Sequence, residues 1–410
     1  MAACPRLRSA AYPEFVVPPI PTREQRRLST EQAILDAAAQ RFAEVGPDGA
    51  SMRDLARSAG VTHPLIARNF GSKQGLIDRV GDRLADRIRA ELEAVSSCDA
   101  QGISALVRSF RADPTMTRLL IRCGLGDLRP DDFPACLAVR WSSSQHRGDR
   151  GVDERSHLGR YAAVSLLLGW LTLDGFLIPA MRLGSVGVRR RDDAMAGAAA
   201  HLLTLRAADE SARPLARASA ADFGPCVEVG ERTADVALLA SAMELFAEHG
   251  PASVSIRDVA RHAGVNHGLV HRHFGAKEDL IAAALDAAVT PLLPGALAPG
   301  GFDLANVVQV AHLDPTSTKL IARALVDGLP IGAVRRNYPV MRSLLTAAQQ
   351  ADAESRPAHL DDPRLAAAAT AAMVCGSALY CDTLRQVAGI RGDVVTAMTA
   401  LSRQLLGSPQ

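Results

Sequence analysis

The chain has 410 residues, 48% of them hydrophobic, enough for two to four domains with sizeable cores. Its formal net charge of +2 excludes a polycation, so any affinity for nucleic acid must come from local placement of charge. Seven scattered cysteines without a C-x-x-C exclude a disulfide framework and a structural zinc, and abundant alanine with only 4% aromatics points to an all-α protein.

Residues 1–22 contain Pro5, Pro13, Pro18, Pro19 and Pro21 and no sustained apolar run, so they read as an extended or disordered tail, not a signal peptide. Arg23, Arg26 and Arg27 follow, either as a basic arm for phosphate or minor groove or as a solvated entry to the first helix. That helix is predicted over Thr30 to Val45, with Ile34, Leu35, Ala38 and Phe42 on one face. Ser51 to Ile77 reads SMRDLARSAGVTHPLIARNFGSKQGLI. Ser51 and Asp54 form a capping box, and Ala56 and Gly60 supply the close approach and the positive φ of a helix-turn-helix. Thr62 caps the second helix, Ile66 and Phe70 are its buried stripe, and Gly71 stops it. Ser72 opens a further helix, Lys73 to about Leu92.

Asp113-Pro114-Thr115 reads as the next helix start, Phe133-Pro134 as another, and residues 142–153 as a polar loop. Tyr161 to Met181 is nearly all apolar, but Asp174 interrupts it, and its counterpart Leu365 to Tyr380 is shorter than a membrane span needs. A helix buried on all sides fits both. Arg189 to Leu205 closes this half, and residues 207–230, rich in Ala, Ser, Pro and charge, read as a linker. As a coil it covers about 25–30 Å.

The chain then repeats itself. Ser255 to Ile281 reads SIRDVARHAGVNHGLVHRHFGAKEDLI, in register with the first stretch at a constant shift of 204. Phe42-Ala43-Glu44 and Gly46-Pro47 also recur, as Phe246-Ala247-Glu248 and Gly250-Pro251. Beyond these stretches Asp314-Pro315-Thr316 matches Asp113-Pro114-Thr115, while identity falls away.

An amphipathic helix ending in F-A-E-x-G, then R-D-[LV]-A-R-x-A-G-V, then a short helix closing on F-G-x-K resembles the heads of the TetR family of bacterial repressors. Heads of that family commonly carry a tyrosine where this chain has Ala67 and His271. The resemblance implies two tandem all-α units, each a helix-turn-helix head followed by a helical ligand-binding and dimerisation domain. The expected division is 23–84 and 85–206, then 231–288 and 289–410, paired within one chain as a pseudo-dimer.

In a helix-turn-helix the first turns of the second helix meet base edges. Those residues are Thr62, His63, Pro64, Ala67 and Arg68 in one copy and Asn266, His267, Gly268, His271 and Arg272 in the other. Asn reads adenine and Arg reads guanine or grips phosphate. Lys73 and Lys277 open the next helices, where an ammonium and free N–H groups suit a phosphate. Arg53 and Arg257 either reach a phosphate or pair with a carboxylate. His267 and His271 share the i, i+4 spacing of a metal pair, but no Cys, Asp or Glu on that helix completes a set. Trp141, Trp170, Phe176, His312, Met373 and Tyr380 are candidate ligand-pocket residues in the C-terminal halves, as well as candidates for plain core.

No catalytic constellation, cofactor fingerprint or metal site is expected. The reading is a cytoplasmic regulator that binds double-stranded DNA at an imperfect palindrome and is released by a small ligand, with no membrane partner. The alternative is a ligand-binding or interaction protein whose heads have lost DNA affinity. Five basic against eight acidic residues over 231–286 keep that alternative open.

Overall fold

The computed structural model of the chain describes residues 22–95, 97, 99–128, 154–204, 234–329, 331, 338–388 and 393–407. Trp141, Phe133-Pro134, the 142–153 loop, the 207–230 linker and the tail up to residue 21 lie outside the described residues. Every regular element among the described residues is helical.

The first head holds α1 (Arg23–Gly49), α2 (Met52–Ser58), α3 (His63–Phe70) and α4 (Lys73–Ala94). Behind it stand α5 (Ala100–Ala112), α6 (Pro114–Gly124), α7 (Glu154–Ala180) and α8 (Val188–Thr204). The second head repeats the plan with α9 (Ala234–His249), α10 (Ile256–His262), α11 (His267–Phe274) and α12 (Lys277–Ala287). After a short α13 (Leu293–Ala296) come α14 (Leu304–Leu313), α15 (Thr316–Val326) and α16 (Pro339–Gln350). The chain closes with α17 (Pro363–Leu379), α18 (Cys381–Ala388) and α19 (Val394–Leu406).

Helix α1 begins earlier than its apolar periodicity predicts. Thr22 Oγ1 accepts from the Gln25 N–H at 3.2 Å and Gln25 Oε1 accepts from the Thr22 N–H at 2.8 Å, a reciprocal capping box that starts the helix at Arg23. Arg23, Arg26 and Arg27 are therefore its first turns, not an arm. The helix breaks at Gly46, whose φ of 76° suits glycine, and Gly250 repeats the break with φ 85°.

The proline after each break removes a donor. Residue 47 would supply the helical N–H to the Ala43 carbonyl, and residue 251 the one to Ala247, but both are proline. Arg122 of α6 fills the gap, its Nε donating to Ala43 O at 3.2 Å and its Nη2 to Glu44 O at 3.1 Å. Arg323 of α15 does the same for the second head, Nε to Ala247 O at 3.3 Å. Both arginines are buried. Their charges meet across the two units: Arg323 Nη1 lies 2.6 Å from the Asp127 carboxylate, Arg122 Nη1 lies 3.1 Å from it, and Arg122 Nη2 lies 3.5 Å from Asp327. Burial raises the Asp327 carboxyl above its usual range, against the pull of the Ala252 N–H at 2.8 Å and the two guanidinium groups.

The units pack through α7 and α17, with α8 and the turn Ala358–Leu360 alongside. The approach is close enough to need glycine. A Cβ on Gly169 would sit 1.9 Å from Ala372 O, and one on Gly376 would sit 1.9 Å from Ser165 O. A shift of 207 carries Gly169 onto Gly376 and Ser165 onto Ala372, so the two contacts are reciprocal. Across the same seam Tyr161 Oη donates to Ser377 O at 3.2 Å, and the Thr172 and Tyr380 hydroxyls are 3.0 Å apart. One continuous hydrophobic core runs through both heads and both C-terminal domains. Two stretches, His157–Ala180 and Lys277–Ala296, are long and apolar enough to cross a membrane, and 78% of the first is buried inside this packing.

Two outcomes follow. Gly376→Ala sets a methyl against backbone that cannot swing away, so it is expected to cost at least the about 1–3 kcal/mol of an overpacked core, read as a lowered Tm. Gly184→Ala, with open space around it, is the matched control that should leave Tm unchanged. The second outcome concerns pH. Burial, reinforced by His359 across the seam, lowers the His201 pKa, and burial lowers that of His312. The unfolded chain therefore binds more protons than the folded one below the ordinary histidine value of about 6.5. Stability should rise with pH up to that value and then level off, and His201→Gln with His312→Gln should flatten the rise in urea titrations.

Candidate nucleic-acid interface

Each head builds its exposed face by burying the opposite one. Leu55 and Ala56 of α2, Ile66 of α3 and Leu76 of α4 are buried together, and Val259, Ala260, Val270 and Leu280 repeat them. Gly60 and Gly264 turn the chain at φ 65° and 69°, and the next N–H groups close back, Val61 N to Ala56 O at 2.9 Å and Val265 N to Ala260 O at 3.0 Å. With one stripe fixed inward, α3 and α11 hold the other outward. Thr62, His63, Pro64 and Arg68 are exposed and Ala67 half-buried in the first head, while Asn266, His267, Gly268, His271 and Arg272 are all exposed in the second. Each predicted set thus lies together along one helix.

The capping chemistry differs between the heads. Asn266 Oδ1 accepts from the Gly268 N–H at 2.9 Å, so the second recognition helix is capped and its amide oxygen is in use. Thr62 occupies the same position without a side-chain cap bond. His271 Nδ1 lies 3.0 Å from Gly275 O, which can only accept, so Nδ1 carries the proton and Nε2 points the other way. Lys73 Nζ and Lys277 Nζ each lie 3.5 Å from a backbone carbonyl, of Asp48 and Ala252, positions 204 apart. The first turn of α4 has no acidic residue, whereas that of α12 has Glu278 and Asp279, and Asp279 Oδ2 accepts the Ala276 N–H at 3.1 Å.

Arg57 and Arg261, not Arg53 and Arg257, take the nearby carboxylates, at 3.1 Å from Asp54 and 3.0 Å from Asp258. Hydrogen bonds from Ser51 and Ser255 chiefly hold those two carboxyl groups below their usual range. Arg53 and Arg257 stay exposed on the head surface.

This geometry coincides with a family's known sequence pattern. The pattern described as bacterial regulatory proteins, tetR family, matches residues 34–80 and again 238–284. The chain is 40% identical over 165 residues to the HTH-type transcriptional repressor Rv3405c of Mycobacterium tuberculosis, which covers 39% of this chain and 80% of that protein. It is 31% identical over 116 residues to the HTH-type transcriptional regulator AlkX of the same organism, 27% of this chain and 55% of that one. A third relative, the HTH-type transcriptional repressor ComR of Escherichia coli, is 33% identical over 92 residues, 22% of this chain and 44% of the relative.

The chain belongs to the TetR family. It is a helix-turn-helix transcriptional regulator with two tandem TetR units, in each of which further helices follow the matched head. Trp170 is fully buried in the first unit, its Nε1 donating to Asp192 Oδ1 at 2.9 Å with Arg111 over the ring. Arg111 in turn reaches Asp174 at 2.6 Å and Asp192 at 2.8 Å. Phe176 meets Tyr338 of the second unit edge-on at 5.4 Å, and Tyr380 pairs with Thr172. His312 Nδ1 donates to Val308 O at 2.8 Å and its Nε2 faces Ser377 Oγ at 2.9 Å, while Met373 is fully buried in α17. The structure therefore spreads these candidates along the core and the seam between the TetR units. Cys375 and Cys381 fall on different helices, and burial pushes the Cys375 thiol up to about 11.

The unequal caps give a test. Asn266→Ala should cost the second head about 1 kcal/mol, the usual value of an N-cap. Thr62→Ala should change stability by less than about 0.5 kcal/mol in urea titrations, as a surface change does. Any affinity that Thr62→Ala loses for DNA then reports a contact with DNA and not a weakened fold.

Proposed function

We propose that this TetR-family chain is a sequence-specific DNA-binding repressor of the cytoplasm, paired within itself as a pseudo-dimer and released by a small molecule. The observation that carries the reading is the pair of exposed recognition helices, α3 and α11, held on one core by contacts that mirror each other. The reciprocal crossing at Gly169 and Gly376 supports pairing inside one chain. A linker of 24 residues, 207–230, gives roughly millimolar effective concentration for the second unit, so the interface helices saturate each other. Two relatives bear the name repressor, which supports repression over activation. Release works as a population shift between two head separations. Arg122 and Arg323 supply a route for it, since each joins a C-terminal domain to the broken end of a head's first helix.

Because the chain carries one copy of each head, its site is an imperfect palindrome bound in one orientation. Thr62, Pro64 and Ala67 offer a hydroxyl and apolar surface suited to a thymine methyl, while Gly268 and His271 offer backbone and imidazole. Selection from random DNA by the full chain should return unequal half-sites, and light scattering should give about the 43.3 kDa of one chain. Arg272→Ala should cost about 1–3 kcal/mol and relax preference at one position, and Lys277→Ala should lower the salt slope by about 1 at every sequence. A particle of twice the mass, or a perfect palindrome, would sink the pseudo-dimer reading. A second reading, a ligand or interaction protein without DNA affinity, draws on the acidic excess of the second head, and wild-type chain that enriches no sequence would favour it.

A further inference from the structure

The structure assigns a second DNA contact to the first head alone: a cleft between the start of α1 and the recognition helix α3 that seats backbone phosphates beside the half-site. The assignment rests on the DNA-binding reading above and adds where the complex is anchored. The cleft, about 580 Å³, has Arg23, Arg26 and Arg27 of α1 on one wall and Leu65, Arg68 and Asn69 of α3 on the other. Arg23 and Arg27 are one helical turn apart and Arg26 lies between them, so the three share a face. Four guanidinium groups thus converge with Glu24 as the lone acid, and Arg23, Arg27 and Arg68 form no ion pair among the described residues.

Arg23, Arg27 and Arg68, close together without an ion-pair partner among the described residues, favour an anion between them, and guanidinium forks match phosphate oxygens. One wall is the recognition helix itself. A duplex docked on α3 therefore brings its sugar–phosphate backbone to the cleft without any movement of the head. Asn69 turns its amide back to Leu65 O at 3.0 Å, which leaves the arginines to fill the opening. Arg68, placed in this wall, grips phosphate and does not read a base.

The sequence ahead of the second head does not repeat the three arginines. At the constant shift of 204 the positions of Arg23, Arg26 and Arg27 are taken by Val227, Gly230 and Glu231. Residues 23–82 hold nine Lys and Arg against eight Asp and Glu, and residues 227–286 hold five against nine. The same asymmetry appears behind the recognition helices, where the turn after Lys277 carries Glu278 and Asp279 and the turn after Lys73 carries no acid. The first head is the anchor, and the second contributes discrimination with little charge attraction.

The test compares the full chain with R23A/R26A/R27A, on duplex that the wild-type chain itself recovers from a random-sequence pool. Each phosphate left without its arginine lowers the slope of log K against log salt by about 0.9, so the triple variant should show a slope smaller by about 2–3. Hydroxyl-radical protection should disappear at one flank only, base preference in both half-sites should stay, and R23K/R26K/R27K should keep most of the slope. An unchanged Tm would show that the head still folds. If the alanine variant keeps the slope and the flank while the wild type binds, the cleft is not a phosphate seat and the DNA-binding reading stands. Protection that vanishes equally at both flanks would also overturn the one-sided anchor. If the wild-type chain enriches no sequence, both fall together.

Discussion

Pro47 and Pro251 have no N–H to give to the carbonyls of Ala43 and Ala247, and the buried guanidinium groups of Arg122 and Arg323 stand in for that donor. A buried carbonyl without a partner costs about as much as a broken hydrogen bond, so the end of each head's first helix is tied to a helix of its own C-terminal domain. The two arginines then need counter-charge in a dry place, and Asp127 and Asp327 provide it, Asp127 to both arginines and Asp327 to Arg122 of the other unit. Buried pairs of this kind add little net stability over apolar packing, but losing one partner costs about 3–5 kcal/mol. The cluster therefore fixes geometry: neither head can tilt on its domain without disturbing the charges that hold the other.

Beneath that cluster the two units meet with backbone against backbone. Glycine at 169 and 376 brings α7 and α17 close enough that a methyl group at either place would overlap a carbonyl oxygen. Around this shared crossing the two cores have diverged. Shifts of 201 and 207 place His312 where the first unit has Arg111, and Ser377 and Cys381 where it has Trp170 and Asp174. The first unit fills that space with an ion-paired arginine over an indole, and the second with a hydroxyl facing an imidazole. A homodimer could not hold both solutions at once. A tandem chain can, because each half evolves under its own sequence while the seam stays matched.

The heads have parted in the same way. Their buried stripes match position for position at the shift of 204, with only apolar exchanges such as Leu55 for Val259 and Ile66 for Val270, and the turn glycines are the same, since a polar or misshapen residue there would unseat the recognition helix. Their outward faces differ in capping, in imidazole content and in charge, where substitution leaves the fold intact.

The amino-acid sequence alone determined the repeat, the helical class and the placement of both recognition helices. Those features follow from local chemistry: caps three residues apart, apolar positions at i and i+4, and glycine where φ must be positive. It also carried the T-x-x-Q box at Thr22, which apolar periodicity passes over because the turns it starts are polar. Only the tertiary structure decided that Arg122 and Arg323 serve the heads, that Gly169 and Gly376 touch the opposite unit, and that Arg23, Arg26 and Arg27 share a cleft with Arg68. Those partners lie from tens to about two hundred residues apart in the chain, and no spacing rule reaches so far. The candidate pocket residues show the same limit. An aromatic or a histidine in an apolar helix is equally at home in a core, a seam or a cavity, and only packing distinguishes them.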